Sequence, residues 1–109
     1  MKISELIKKV NITPLNNLFD RDITGVFVSD MVSDLMAFGK GGNLWITIQT
    51  HKKIISVGAM IDVSAIIIAR DKQPLEEVIE AANLSEITVF TTGLSTYDLC
   101  HELYEAGIR

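Results

Sequence analysis

Two short polar runs, Ser29-Asp30 and Gln49-Thr50-His51, each follow a stretch of β-forming apolar residues. Side chains of these types, delivered at the ends of neighbouring strands, could hold a small ligand by hydrogen bonds. His51 could donate while neutral or bind an anion when protonated. Lys52 and Lys53 come next. Cations at a helix start are opposed by the helix dipole, yet with free backbone N–H groups they suit a phosphate or a carboxylate. The expectation is a small polar pocket built from Ser29, Asp30, Gln49, Thr50 and His51. A plainer reading competes with it. Loops that lead into helices are polar in general, and Ser, Thr and Asp are favoured there as caps. On that reading the lysines are solvated surface. Gln49 and His51 are the two residues that capping does not require.

Other chemistries find less support. Gly39-Lys40-Gly41-Gly42 has the composition of a phosphate loop, but a Walker loop needs Gly-x-x-x-x-Gly-Lys-Ser/Thr between a strand and a helix. Here the glycines follow a helical stretch and precede a strand, so a C-cap and turn is expected. Cys100 and His101 are adjacent on a helix and point about 100° apart, so Cys100 reads as packing with Leu99 and Leu103. Two histidines and one cysteine without ligand spacing give no metal site. No serine sits in a nucleophile elbow, and Glu76-Glu77 reads as solvated helix surface. Neither a cofactor nor catalysis is expected.

The elements that would position the pocket follow from periodicity. Ser4 is expected to cap a short helix running to about Val10, with Ile3, Leu6, Ile7 and Val10 on one face. Thr13-Pro14 interrupts it, and 12–18 reads as an extended edge segment. Asp20-Arg21-Asp22 is a turn, and 23–29 is the first clear strand. Gly25 inside it suggests a bulge or a close backbone approach. Asp30 is expected to cap a helix over 31–38. A strand over 44–49 leads into a helix of about ten residues ending near Met60 or Ile61. Ala65 to Ala69 is almost continuously apolar, the pattern of a strand buried on both faces in a parallel sheet. Pro74 sits near the start of a helix to about Ala82. A strand over 87–91 and a final helix from Ser95 to Gly107 complete the chain. The alternation predicts an α/β fold: a layered α/β/α unit with a mostly parallel sheet of four to five strands, joined by right-handed crossovers. The remaining strand ends, Arg70-Asp71 and Thr91-Thr92-Gly93, are also polar.

The chain has 109 residues and a net charge of −4, which predicts one domain over 1–109. An apolar share of 48% with a mean hydropathy of +0.29 is high for this size. It implies either a generous core or apolar surface covered by a partner. The acidic balance and the lack of a basic stripe argue against nucleic-acid binding. One cysteine cannot form an internal disulfide, which suits a reducing cytoplasm. No signal peptide and no membrane span are expected.

The run Asp20-Arg21-Asp22-Ile23-Thr24-Gly25 resembles the signature of the DRTGG domain. Asp20, Arg21, Thr24 and Gly25 match it, and Val26 stands where the signature has its final glycine. Ser33-Asp34 and Leu44-Trp45-Ile46-Thr47-Ile48-Gln49-Thr50-His51 extend the likeness. DRTGG domains are similar to the N-terminal domain of HPr kinase/phosphorylase, whose fold is related to the N-terminal domains of Mur ligases. The resemblance therefore implies a layered α/β fold. It does not imply kinase activity, because the phosphate loop of that kinase lies in a separate domain. DRTGG domains also occur between paired CBS domains in regulated pyrophosphatases, and in some phosphotransacetylases, as regulatory or dimer-forming modules. From the residues alone, Asp20, Arg21 and Gly25 read as architectural, with Arg21 offering a fork to a carboxylate or to turn carbonyls; Thr24 joins this structural motif through its match to the signature.

Two functions are expected from different classes. The first is a noncatalytic regulatory module that self-associates as a homodimer or docks on a partner enzyme. The helix after His51 motivates it, since Ile54, Ile55, Val57, Ala59, Met60 and Ile61 leave little polar face. The alternative is a sensor of a nucleotide or other small anionic ligand at the pocket described above.

Overall fold

The computed structural model describes residues 1–108. In chain order the elements are α1 (Ile3–Leu6), β1 (Thr13–Pro14), β2 (Gly25–Val28), α2 (Val32–Phe38), β3 (Asn43–Thr47), α3 (Lys53–Ile61), β4 (Ala65–Ile68), α4 (Glu76–Leu84), β5 (Thr88–Thr91) and α5 (Thr96–Glu105). The five strands form one sheet in the order β1-β5-β4-β3-β2. β2 to β5 are parallel, and β1 pairs antiparallel with β5 as a short edge. Pro14 is tolerated there because an edge strand can leave one N–H side unpaired.

β2, β3, β4 and β5 step across the sheet in sequence order. Crossovers of one hand that step in one direction must put their helices on one face. That is where α2, α3 and α4 lie. Leu35, Ile54, Ile55, Val57, Val78 and Ala82 pack there on Trp45, Ile66, Ile68 and Val89. The opposite face is covered by α1 and α5, whose Ile3, Leu6, Leu99 and Leu103 pack on Leu44, Ile46, Ala65, Ile67 and Phe90. Alternate residues of β4 thus enter different cores, which is why Ala65-Ile66-Ile67-Ile68 reads as an unbroken apolar run. Truncating Ile66, fully buried beneath α3, should cost about 2–5 kcal/mol.

The fold is the expected layered α/β/α arrangement. Three local expectations change. α1 is shorter than expected, and its N-cap is Lys2 and not Ser4. Ser4 is inside the helix, where its N–H and hydroxyl both donate to the Asp20 carboxylate. Asp30 does not cap α2; Met31 holds that position, with no side-chain cap bond. Gly25 is in regular register opposite Asn43, so there is no bulge, and the close approach is to the Asn43 side chain. At the far end of the chain the local signals hold. Ser95 Oγ accepts from Asp98 N at 3.1 Å, and Gly107 ends the helix at φ +97.

The wide apolar face of α3 has an internal cause. It is the middle helix of three, flanked by α2 and α4, and Ile54, Ile55, Val57 and Gly58 are buried within the chain. Gly58 allows the close packing: a β-carbon there would sit 3.2 Å from Val63 Cγ2 and 3.3 Å from Ile66 Cδ1. Ser56, Ala59 and Met60 form the outer side.

Candidate functional site

The DRTGG-like residues gather at the amino ends of the strands. Asp20 accepts from Ser4 N at 2.9 Å and from Ser4 Oγ at 3.0 Å, and so satisfies a free N–H in the first turn of α1. The N–H of Ser4 is the main cause holding the Asp20 carboxyl below its ordinary value, against a smaller opposing effect of desolvation. Arg21 reaches the loop between α3 and β4. Its Nη1 donates to Val63 O at 2.7 Å, and its Nη2 lies 3.0 Å from Asp62 Oδ1. Thr24 Oγ1 donates to Gly41 O at 3.1 Å, and Thr24 N donates to Gly42 O at 3.0 Å. Gly42 has φ +84, and a β-carbon on it would collide with the Thr24 side chain. Each matched side chain thus ties a different connection to the start of β2. All three ties lie at the rim opposite the polar strand ends.

At the carboxyl rim the expected residues do come near one another, but in unequal roles. Asp30 Oδ1 accepts from Ile48 N at 2.8 Å and from Thr47 Oγ1 at 3.2 Å. In return Gln49 Nε2 donates to Asp30 O at 3.0 Å. Ser29 O accepts from Trp45 Nε1 at 3.0 Å, and Ser29 Oγ accepts from Met31 N at 3.1 Å. Ser29, Asp30 and Gln49 therefore brace the turn after β2 against the turn after β3. Ser29 does not line either of the two hollows described next. Asp30, Gln49 and His51 line a shallow cavity of about 530 Å³ with Ser33, Lys53 and an apolar floor that includes Val32 and Ile54. Thr50 opens instead onto a second hollow of about 300 Å³, shared with His51, Lys52 and the start of α4. Gln49 and His51 line both hollows. His51 Nδ1 accepts from Lys53 N at 3.3 Å, which leaves Nε2 as the ring nitrogen for a ligand.

The cavity can hold a small molecule by an imidazole, a lysine and the Ser33 hydroxyl over an apolar floor. Among the described residues no group of three His, Cys, Asp or Glu side chains could hold a metal ion. Cys100 is partly buried, and burial pushes its thiol above the ordinary value, which disfavours the nucleophilic thiolate. No helix among the described residues is long and apolar enough to cross a membrane.

Sequence reasoning missed that Lys53, Ser33 and Ile54 belong to the same cavity as His51. The spacing carried the signal: Lys53 and Ile54 begin the helix that follows His51, and Ser33 begins the one that follows Asp30.

No family model matches this chain, and no curated protein matches it. Among solved structures it is similar to the CBS and DRTGG domains of the regulatory region of Clostridium perfringens pyrophosphatase, complexed with the activator diadenosine tetraphosphate. The TM-score is 0.73 at 21% identity, over 93% of this chain. The chain spans 45% of the length of that structure's chain. At this identity the likeness defines the fold. The chain has a DRTGG-domain fold, as its sequence signature implied.

Proposed function

We propose that this chain is a noncatalytic regulatory module of the cytoplasm that self-associates as a homodimer. One observation carries the reading. The acid and the amide at the carboxyl rim, Asp30 and Gln49, are engaged with each other's turns, an arrangement that stiffens a scaffold and leaves no nucleophile and base poised together. The fold likeness supports it, because the similar solved structure is a regulatory region. Light scattering at high micromolar concentration tests self-association. A dimer mass is expected, and a monomer there defeats the dimer.

A second reading is favoured by the cavity that joins His51 and Lys53. In this reading the module senses a nucleotide or another small anion. The activator in the similar structure supports the ligand class, since there the CBS and DRTGG domains together are complexed with it. Thermal shift against a panel of nucleotides and inorganic phosphates is the test. The melt should rise with an anion, and His51→Ala should remove the rise without changing the unliganded melt. A flat panel would count against the sensor. The two readings are compatible, since a ligand that prefers one oligomer shifts its population.

A further inference from the structure

We infer that the outer face of α3 and α4 is the surface on which a second copy of this chain docks. The inference rests on the self-association reading and assigns it a place and a geometry.

The two helices both connect parallel strands, so they run in the same direction. Between them lies a groove of about 450 Å³ whose outer lining includes Ser56, Ala81 and Ser85. Large apolar side chains stand beside this small-residue floor: Met60 is 67% exposed and Leu84 is 88% exposed. One face therefore carries both a groove and side chains that could fill one. A two-fold interface needs this, because the same patch must serve as donor and as receiver.

Charge chooses the orientation. α3 opens on Lys52 and Lys53, and no other charged residue follows through Ile61. α4 opens on Glu76, Glu77 and Glu80, and none follows through Ser85. The ion pairs among the described residues join Lys2 to Asp22 and Arg21 to Asp62, so none of these lysines and glutamates has a charged partner among the described residues. A two-fold axis running along the helices lays α3 of one copy over α4 of the other, in parallel. Both basic helix starts then face acidic ones, twice by symmetry, and the uncharged remainder of each helix meets its counterpart. A molecule 31 × 27 × 24 Å across can offer the roughly 800 Å² per partner of a standard interface on one broad face.

The test is sedimentation equilibrium on the full chain. Leu84→Arg should raise the dimer dissociation constant about 100-fold or more, since two copies of the side chain lose their burial. Leu84 is already exposed, so its replacement should leave the thermal melt of the monomer unchanged. Reversing Lys52 and Lys53 to Glu should weaken the dimer, as should reversing Glu77 and Glu80 to Lys. An equimolar mixture of the two reversed proteins should recover the dimer as a mixed one, because there each helix start again faces one of opposite charge at both contacts. Combining all four reversals in one chain should restore the dimer. If wild type is a monomer, self-association itself fails. If wild type is a dimer that ignores both Leu84→Arg and the charge reversals, self-association stands and this surface is wrong.

Discussion

Arg21→Ala should destabilise the fold by about 2–3 kcal/mol, and most of the loss should come from a carbonyl and not from the ion pair. Arg21 Nη1 donates to Val63 O at 2.7 Å, and Val63 is fully buried. A charge-assisted bond of this kind is worth about 1.5–3 kcal/mol, and its loss leaves the acceptor without that donor. The Arg21–Asp62 pair is different. The Asp62 side chain is 71% exposed, so solvent screening holds its share to about 0.2–1 kcal/mol. Urea unfolding followed by far-ultraviolet circular dichroism is the assay. At a slope of roughly 1–1.5 kcal/mol/M for a domain of this size, the midpoint should fall by about 2 M. Arg21→Lys keeps one donor but not the fork, and should lose an intermediate amount. Asp62→Asn separates the two contributions, because asparagine also tolerates the left-handed backbone at φ 67. A double-mutant cycle should give a coupling below about 1 kcal/mol. A coupling equal to the whole loss, or a loss under about 0.5 kcal/mol for Arg21→Ala, would refute the clasp as described.

Three further outcomes follow from the same geometry. Asp20 has a folded-state pKa below its unfolded value, so its contribution is present above the ordinary carboxylate range and is lost as pH falls through the lowered folded value. Asp20→Asn should therefore melt below wild type at neutral pH, and the gap should close in strong acid. Ser64 Oγ is buried without a hydrogen-bond partner among the described residues, so Ser64→Ala should raise stability by up to about 1 kcal/mol in urea. Glu86 follows α4 at φ +55, a conformation that costs a side chain about 1 kcal/mol, and Glu86→Gly should recover about that much in a thermal melt.

Much of the architecture was legible because it rests on local rules. The apolar run from Ala65 to Ala69 announced a strand buried on both sides, and Ser95 and Gly107 marked the ends of α5 as a cap and a left-handed stop. Pro14 marked the edge. The errors arose where a distant partner outcompetes a local one. Ser4 is a good cap in isolation, but Asp20 takes both of its donors from the other end of a loop. Asp30 precedes a helix, yet its carboxylate satisfies the Ile48 N–H just past the next strand. Residue type suggested that Arg21 would bond a carboxylate or turn carbonyls, whereas the acceptors that Arg21 and Thr24 find, Val63 O and Gly41 O, depend on strand order, which periodicity does not reveal. Strand order also explains α3: its wide apolar face suggested a partner, and its place between α2 and α4 covers most of that face within the chain. At the rim, proximity of Asp30, Gln49 and His51 followed from adjacent parallel strands. That Asp30 and Gln49 face each other, and that Ser29 turns to its own loop, did not.

The central proposal is a division of labour: the DRTGG-like residues hold the amino rim together, and ligand recognition is assigned to the opposite rim. Backbone amide shifts in a two-dimensional NMR titration with an adenine nucleotide test it most directly. The account predicts perturbation centred on 49–54, with Ser33 moving alongside and Asp20 to Gly25 still. Shifts centred on Asp20, Arg21, Thr24 and Gly42, with the His51 loop unmoved, would contradict it.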